Sequence, residues 1–195
     1  MHEIRQATAD RVPAICGMLA RAFADDPIFD LLVPDRTNRS DAVQGFFERL
    51  DAPLAAMGLL WEIGDAVAAA AWIPPDAHEA WAEIDAATLP FVREISPDGG
   101  RGWEAMWGWV LERIPDEPLW LLDHIGVEPG SQGTGCGRAL IEHGFRLAEA
   151  DGVGTFLETA VPANVPYYEN LGFHVVADGV TPLEGPRAWL MRRDP

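Results

Sequence analysis

Leu119-Trp120-Leu121-Leu122-Asp123-His124-Ile125-Gly126-Val127, followed after Glu128-Pro129-Gly130-Ser131 by Gln132-Gly133-Thr134-Gly135-Cys136-Gly137, is the stretch on which the fold turns. It reads as an apolar strand, a tight glycine turn and the start of a helix. Three glycines at alternate positions leave the backbone without Cβ atoms, so consecutive N–H groups can converge on one concavity. A helix over 136–151 follows from Ala139, Leu140, Phe145, Leu147 and Ala148 at three- and four-residue spacings, with Arg138, Glu142, Arg146 and Glu149 between them. Gly152 closes it. The unpaired N–H groups of its first turn favour an anion such as a pyrophosphate. The turn matches neither Gly-x-Gly-x-x-Gly nor a loop closed by Gly-Lys-Ser/Thr, and by itself it also fits an ordinary strand-to-helix connection. Gly126 sits where a bulge would break the ladder and free a backbone N–H.

Composition bounds what surrounds this stretch. A chain of 195 residues with 48% hydrophobic content is long enough for one domain with one sizeable core. The net charge is −17 and all 14 basic residues are Arg. Nucleic acid is therefore not an expected partner, since phosphate binding requires a basic face. The acidity would draw in a cationic substrate, and it serves solubility equally well. Cys16 and Cys136 do not form a disulfide framework. The N-terminus lacks the apolar core of a signal peptide, and the longest apolar run, residues 66–73, is too short to span a bilayer, so a cytoplasmic protein without membrane contact is expected.

Outward from the central stretch, residues 2–7 suit a strand, and Thr8 with Asp10 can cap a helix carrying Val12, Ile15, Leu19 and Phe23 on one face. Asp25-Asp26-Pro27 stops it. A short helix is expected over 28–33 and a longer one from Asn38 to Ala56, with Val43, Phe46, Phe47 and Leu50 inward. Residues 59–63 and 66–73 read as a hairpin. Helical patterns follow over 79–89 and 102–114, with Trp81, Trp103, Trp107 and Trp109; tryptophans at this spacing are usually core, yet substrate contacts are also sought here. A strand over 155–159, a short helix over 163–171 and a hairpin of 173–180 with 188–192 complete an α/β chain.

Several runs together carry a resemblance. Val127-x-Pro129-x-x-Gln132-Gly133-x-Gly135-x-Gly137-x-x-Leu140, Leu157-Glu158-Thr159, Asn164-Val165-Pro166-Tyr167-Tyr168-Glu169-x-x-Gly172-Phe173, Glu184-Gly185-Pro186-Arg187-x-Trp189 and, upstream, Ala22-Phe23-Ala24-Asp25-Asp26-Pro27 resemble the GNAT superfamily of N-acetyltransferases. They are most similar to the branch containing puromycin N-acetyltransferase. The likeness spans nearly the whole chain and is thinnest between 76 and 116. It implies a single α/β domain over 1–195, substrate-side to about 116 and acetyl-CoA-binding from about 117. The implied sheet is mixed, mostly antiparallel, of about six or seven strands, with helices on both faces and a bulge near Gly126.

The resemblance further implies acetyl-CoA as co-substrate, held by Ile125, Val127, Gln132, Gly133, Thr134, Gly135, Cys136, Gly137, Arg138, Asn164 and Tyr168. Position 134 is Thr where relatives often carry Lys or Arg, and Arg138 one turn on can compensate. The N–H of Val127 is the expected oxyanion donor. Tyr168 is the expected general acid, because a phenol keeps its proton at neutral pH and can pass it to a thiolate. The tyrosine before it, Tyr167, is expected to pack.

For the base, Asp123, His124, Asp26 and Glu158 all qualify by chemistry. Asp123 and then His124 are placed first, although strand alternation sends these two to opposite faces unless a bulge begins early. A histidine in an apolar strand also serves as a satisfied core residue. Phe23, Asp26 and Glu158 are candidate substrate contacts. No metal-ligand spacing and no Gly-x-Ser-x-Gly elbow occur, so direct transfer without metal or acyl-enzyme is expected. The acceptor implied is a primary amine of a small molecule, an aminonucleoside such as puromycin among them. The alternatives are an acyl-CoA-binding sensor without turnover and an acetyltransferase of protein amines. Monomer and homodimer both stay open.

Overall fold

The computed structural model describes residues 2–37 and 39–195. Its strands are β1 (Ile4–Gln6), β2 (Leu60–Ile63), β3 (Ala68–Ile73), β4 (Leu119–Val127), β5 (Gly154–Thr159), β6 (His174–Val180) and β7 (Arg187–Arg193). Its helices are α1 (Val12–Ala22), α2 (Ile28–Leu32), α3 (Arg39–Ala56), α4 (His78–Ile95), α5 (Arg101–Leu111), α6 (Cys136–Asp151) and α7 (Asn164–Glu169). The strands join in one sheet, in the order β1-β2-β3-β4-β5-β7-β6. β4 and β5 run parallel, bridged by α6, and the other neighbours are antiparallel.

Each face of the sheet has its own core. Leu119 and Leu121 of β4 join Ile15 and Leu19 of α1 and Phe47 of α3 on one side. Trp120 and Leu122 join Leu140, Phe145 and Tyr168 on the other, beneath α6 and α7. β3 is fully buried and begins with four alanines, which keeps both helical layers close to the sheet. Trp72 of β3 is buried under α6 and donates from Nε1 to the Leu140 carbonyl at 3.2 Å. Gly144 makes this contact; a Cβ there would lie 2.0 Å from the indole. Gly144→Ala is therefore expected to lower stability by about 3 kcal/mol, the upper end of overpacking costs. That corresponds to a fall in Tm of about 6–12 °C in a thermal melt.

β4 departs from the expected geometry at one point that matters for the site. Its register against β3 pairs Ala71 with His124 and then Trp72 with Leu122, so Asp123 is the extra residue of a bulge. The bulge was expected near Gly126, but Gly126 pairs regularly with Ala69. The glycine is required there for a different reason: a Cβ would stand 2.6 Å from Leu19 Cδ2 and 3.2 Å from Ala22 Cβ, so it lets α1 lie on β4. Because the bulge falls at Asp123, Asp123 and His124 share the α1/α3 face while Ile125 and Val127 point to the α6 face.

β4 and β5 pair only from Leu119 with Gly154 to Leu122 with Leu157. Beyond that point the two strands part, and the gap between residues 123–127 and the end of β5 becomes a slot.

Elsewhere, the two proposed caps of α1 bond each other, Thr8 Oγ1 to Asp10 Oδ1 at 2.6 Å, and Arg11 stands at the cap without a side-chain bond. α4 runs through Pro90 to Ile95, past the expected end at 89, since burial of Val92 outweighs the missing N–H. The expected helix start at Asn38 lies outside the described residues.

Candidate active site

A cavity of about 640 Å³ opens between the parted strands, over the N-terminus of α6. Gly133 and Gly135 take φ of +77° and +89°, conformations that favour glycine, and Gly135 precedes α6 with no side-chain cap and no acidic residue in the first turn. The first-turn N–H groups of α6 are thus left for an anion, with Arg138 at the rim. Gly137 passes close to β4, where a Cβ would stand 3.3 Å from Val127 Cγ2.

Among the residues expected to hold acetyl-CoA, Ile125, Val127, Gln132, Gly133, Gly135, Cys136, Gly137, Arg138, Asn164 and Tyr168 line this cavity. Thr134 does not. It faces outward, and its hydroxyl donates to the Ser131 carbonyl at 2.6 Å, bracing the turn. Tyr167, expected to pack, lines the cavity and is 42% exposed. Asn164 donates from Nδ2 to Thr159 Oγ1 at 3.3 Å, which fixes its amide over the slot.

The slot ends in a smaller chamber of about 70 Å³, lined by Phe23, Asp26, Asp123, His124, Glu158 and Tyr168. Tyr168 borders both spaces. Its ring is buried edge-on to Phe173, with centroids 5.8 Å apart, and burial pushes its phenol well above the ordinary value, helped by Tyr167, Glu158 and Asp26. A further recess of about 20 Å³ lies behind Asp123 and Glu158, walled by Trp81 and Trp107.

Four carboxylates crowd this end. Glu158 is pushed up to about 8, first by burial and then by the charges of Asp26 and Asp123, and its Oε2 has no hydrogen-bond partner among the described residues. Asp26 is raised by burial, against the bond it accepts from the Ile28 N–H at 2.9 Å and the pull of Arg39. Asp85 of α4 is raised to about 6, by burial and then by Asp123. Asp123 has both oxygens engaged, Oδ1 by Trp81 Nε1 at 2.8 Å and Oδ2 by His124 Nδ1 at 2.8 Å.

His124 is buried against the Phe47 ring, and its Nε2 lies 3.1 Å from Asp51 Oδ1. That approach is a charge contact rather than an aligned hydrogen bond, since neither atom meets hydrogen-bond geometry. Burial disfavours the imidazolium, but the charge of Asp51, the bond to Asp123 and the charge of Asp123 outweigh it and raise His124 to about 10. A ring held between two carboxylates keeps its proton at neutral pH, so His124 is not a free base.

Sequence reasoning brought Phe23, Asp26, Asp123, His124, Glu158 and Tyr168 to this place, and the structure assembles all six. It missed Asp51, Asp85 and the bond from Trp81. Asp51 carried a signal: it lies four residues after Phe47 and three before Leu54, an acid on an apolar stripe. Among the described residues, no group of three or more His, Cys, Asp and Glu side chains is placed to hold a metal ion, and no helix is long and apolar enough to cross a membrane.

Comparison with known proteins bears on this arrangement. Residues 97–175 match the acetyltransferase (GNAT) domain family model. An uncharacterized N-acetyltransferase of Schizosaccharomyces pombe is 27% identical over 167 residues, covering 80% of this chain and 67% of that protein. The mycothiol acetyltransferase of Streptomyces avermitilis is 29% identical over 146 residues, 62% of this chain, which spans only 47% of that relative's length. Among solved structures, a histone acetyltransferase HPA2 and related acetyltransferase from Corynebacterium glutamicum superposes with a TM-score of 0.70 at 24% identity, covering 100% of this chain and 96% of that one. A Drosophila melanogaster polyamine N-acetyltransferase that forms N-acetylagmatine gives 0.66 at 13% identity, covering 100% of both chains. Residues 97–175 are thus similar to a GNAT acetyltransferase domain, and the whole chain shares the fold of solved acetyltransferases.

Proposed function

We propose that the protein transfers an acetyl group from acetyl-CoA directly to the primary amine of a small cationic molecule. The observation that carries this reading is the meeting at Tyr168 of two spaces of opposite character: a glycine-lined cleft open to an anion, and a smaller chamber lined by Asp26, Asp123 and Glu158. The cleft fits acetyl-CoA. Its phosphates would lie against the N–H groups of residues 132–137 and its pantetheine arm along Asn164, in the slot where β5 no longer pairs with β4. Acetyl-CoA supplies an activated acyl group and a thiolate leaving group.

The residues of the chain supply the proton steps. Asp123, held through both oxygens, receives the acceptor's ammonium. Glu158, with one free carboxylate oxygen and an affinity for protons set near 8, takes a proton from the nitrogen as it becomes nucleophilic. Tyr168 donates its phenol proton to the departing sulfur. The base role thus falls to Glu158 rather than to Asp123 or His124, whose polar atoms already face partners.

The acceptor chamber favours a small molecule over a protein side chain, because it is narrow and its floor is buried. Its acidic lining suits a cation, and one solved structure of this fold is a polyamine N-acetyltransferase. The resemblance to the puromycin N-acetyltransferase branch keeps an aminonucleoside among the candidates. The test is release of free CoA thiol from acetyl-CoA over a panel of puromycin, spermidine, agmatine and an uncharged arylamine. Turnover of one or more of the cations, with the uncharged amine poor, is expected. Binding of acetyl-CoA without thiol release on any amine would overturn the reading in favour of a sensor.

A further inference from the structure

We propose that Asp51 and His124 form a buried positioning relay that fixes the Asp123 carboxylate at the acceptor end of the chamber. The proposal rests on the reading of Asp123 as the anchor for an amine, and its test separates the two.

Asp51 is fully buried on α3, inside an apolar core. A carboxylate in such a place requires a partner. Among the described residues its partners are His124, 3.1 Å away at Nε2, and the Cys16 thiol of α1, whose sulfur lies 3.6 Å from Oδ2. A thiol is a weak donor, so the imidazolium is the group that compensates the charge. The other nitrogen of that ring donates to Asp123 at 2.8 Å. The result is an anion, a cation and an anion in line, running from helix α3 to the floor of the chamber.

The bulge makes this line available. With regular alternation Asp123 and His124 would face opposite sides of the sheet; the extra residue sets both on the α3 side. Trp81 of α4 then holds the second oxygen of Asp123 from the recess behind it.

The surroundings explain why a fixed cation is required. Asp123 is faced by Glu158 from β5, by Asp26 from the segment between α1 and α2, and by Asp85 from α4. Arg39 bonds the backbone carbonyl of Asp26, and Glu48 of α3 acts on Cys16. Carboxylates confined together cannot all ionise, and one takes up a proton. His124 sets a cation against Asp123, while Glu158, with no such partner, is the carboxylate pushed up by burial and by its neighbours. Asp51 lines none of the described cavities, so it acts only through the histidine.

The test uses the full chain. In ¹⁵N NMR of imidazole-labelled protein, both ring nitrogens of wild-type His124 are expected to stay protonated through pH 8. In Asp51→Asn, a neutral isostere, the ring is expected to titrate lower by about one unit or more. In thiol-release kinetics Asp51→Asn is expected to raise the acceptor KM about tenfold at pH 7, with little change in kcat. The acetyl-CoA KM is expected to stay unchanged. His124→Gln, which keeps a donor toward Asp123 without the charge, is expected to show the same split and serves where Asp51→Asn does not fold. A wild-type His124 ring that is neutral at pH 7 overturns the relay, as does an Asp51→Asn protein that loses kcat while keeping the wild-type acceptor KM. The NMR result stands whether or not any amine is acetylated, so loss of the enzymatic reading and loss of the relay are told apart.

Discussion

Tyr168→Phe is expected to lower kcat and kcat/KM together by about 10²–10⁴-fold, the range of general acid catalysis, with little change in the KM of acetyl-CoA. The expectation follows from what the substitution leaves in place. The ring of Tyr168 is 6% exposed and wedged between Phe173 and Tyr167, and phenylalanine keeps both contacts. The slot therefore retains its shape, and only the hydroxyl at the junction of cleft and chamber is lost. Burial holds the phenol proton well above the ordinary range, so at neutral pH the group is fully in its donating form. Equal losses in kcat and kcat/KM mark an interaction made in the transition state rather than in binding. Thiol release at saturating acetyl-CoA, with a thermal melt as control for folding, measures it. A variant that turns over at the wild-type rate would return Tyr168 to a packing role.

How much of this arrangement was legible in the sequence depends on the range of the interactions. The strand, glycine turn and helix over 119–151 were readable because glycine spacing and apolar periodicity are local signals, and the seven-stranded sheet follows from such signals repeated. Tyr168 was readable from its motif. The bulge was placed at Gly126 because glycine is the residue that most often marks one, whereas Gly126 answers to the side chains of α1, more than 100 positions earlier. A steric demand of that kind leaves no local trace. Asp51 and Trp81 belong to the same category. Each meets the site through a single long-range contact, 3.1 Å to His124 and 2.8 Å to Asp123, between elements whose packing periodicity cannot supply. Thr134 fails in the opposite direction: its motif position was right, but its side chain serves the turn itself.

Glu158→Gln is expected to lower kcat/KM by about 10²–10⁴-fold and to abolish the rise in activity expected of the wild-type protein as pH approaches 8. Glutamine keeps the shape and removes the proton acceptor. The pH dependence identifies the group, because kcat/KM reports the free enzyme, in which burial and the charges of Asp26 and Asp123 set Glu158 near 8. Stability is expected to move the other way. The folded-state value lies above the ordinary carboxylate value of 4.5, so the folded chain retains a proton that the unfolded chain releases. Between about 4.5 and 8 the wild type therefore loses stability as pH rises, and above 8 the full cost of an ionised, buried carboxylate is present. Glutamine does not ionise. At pH 5 the two proteins are expected to melt close together, and at pH 9 the variant melts higher. A residue kept only for packing would cost stability when changed and leave the pH profile alone. A carboxylate retained against its own effect on folding, with one oxygen free beside a fixed anion, is placed for a proton that arrives with the substrate.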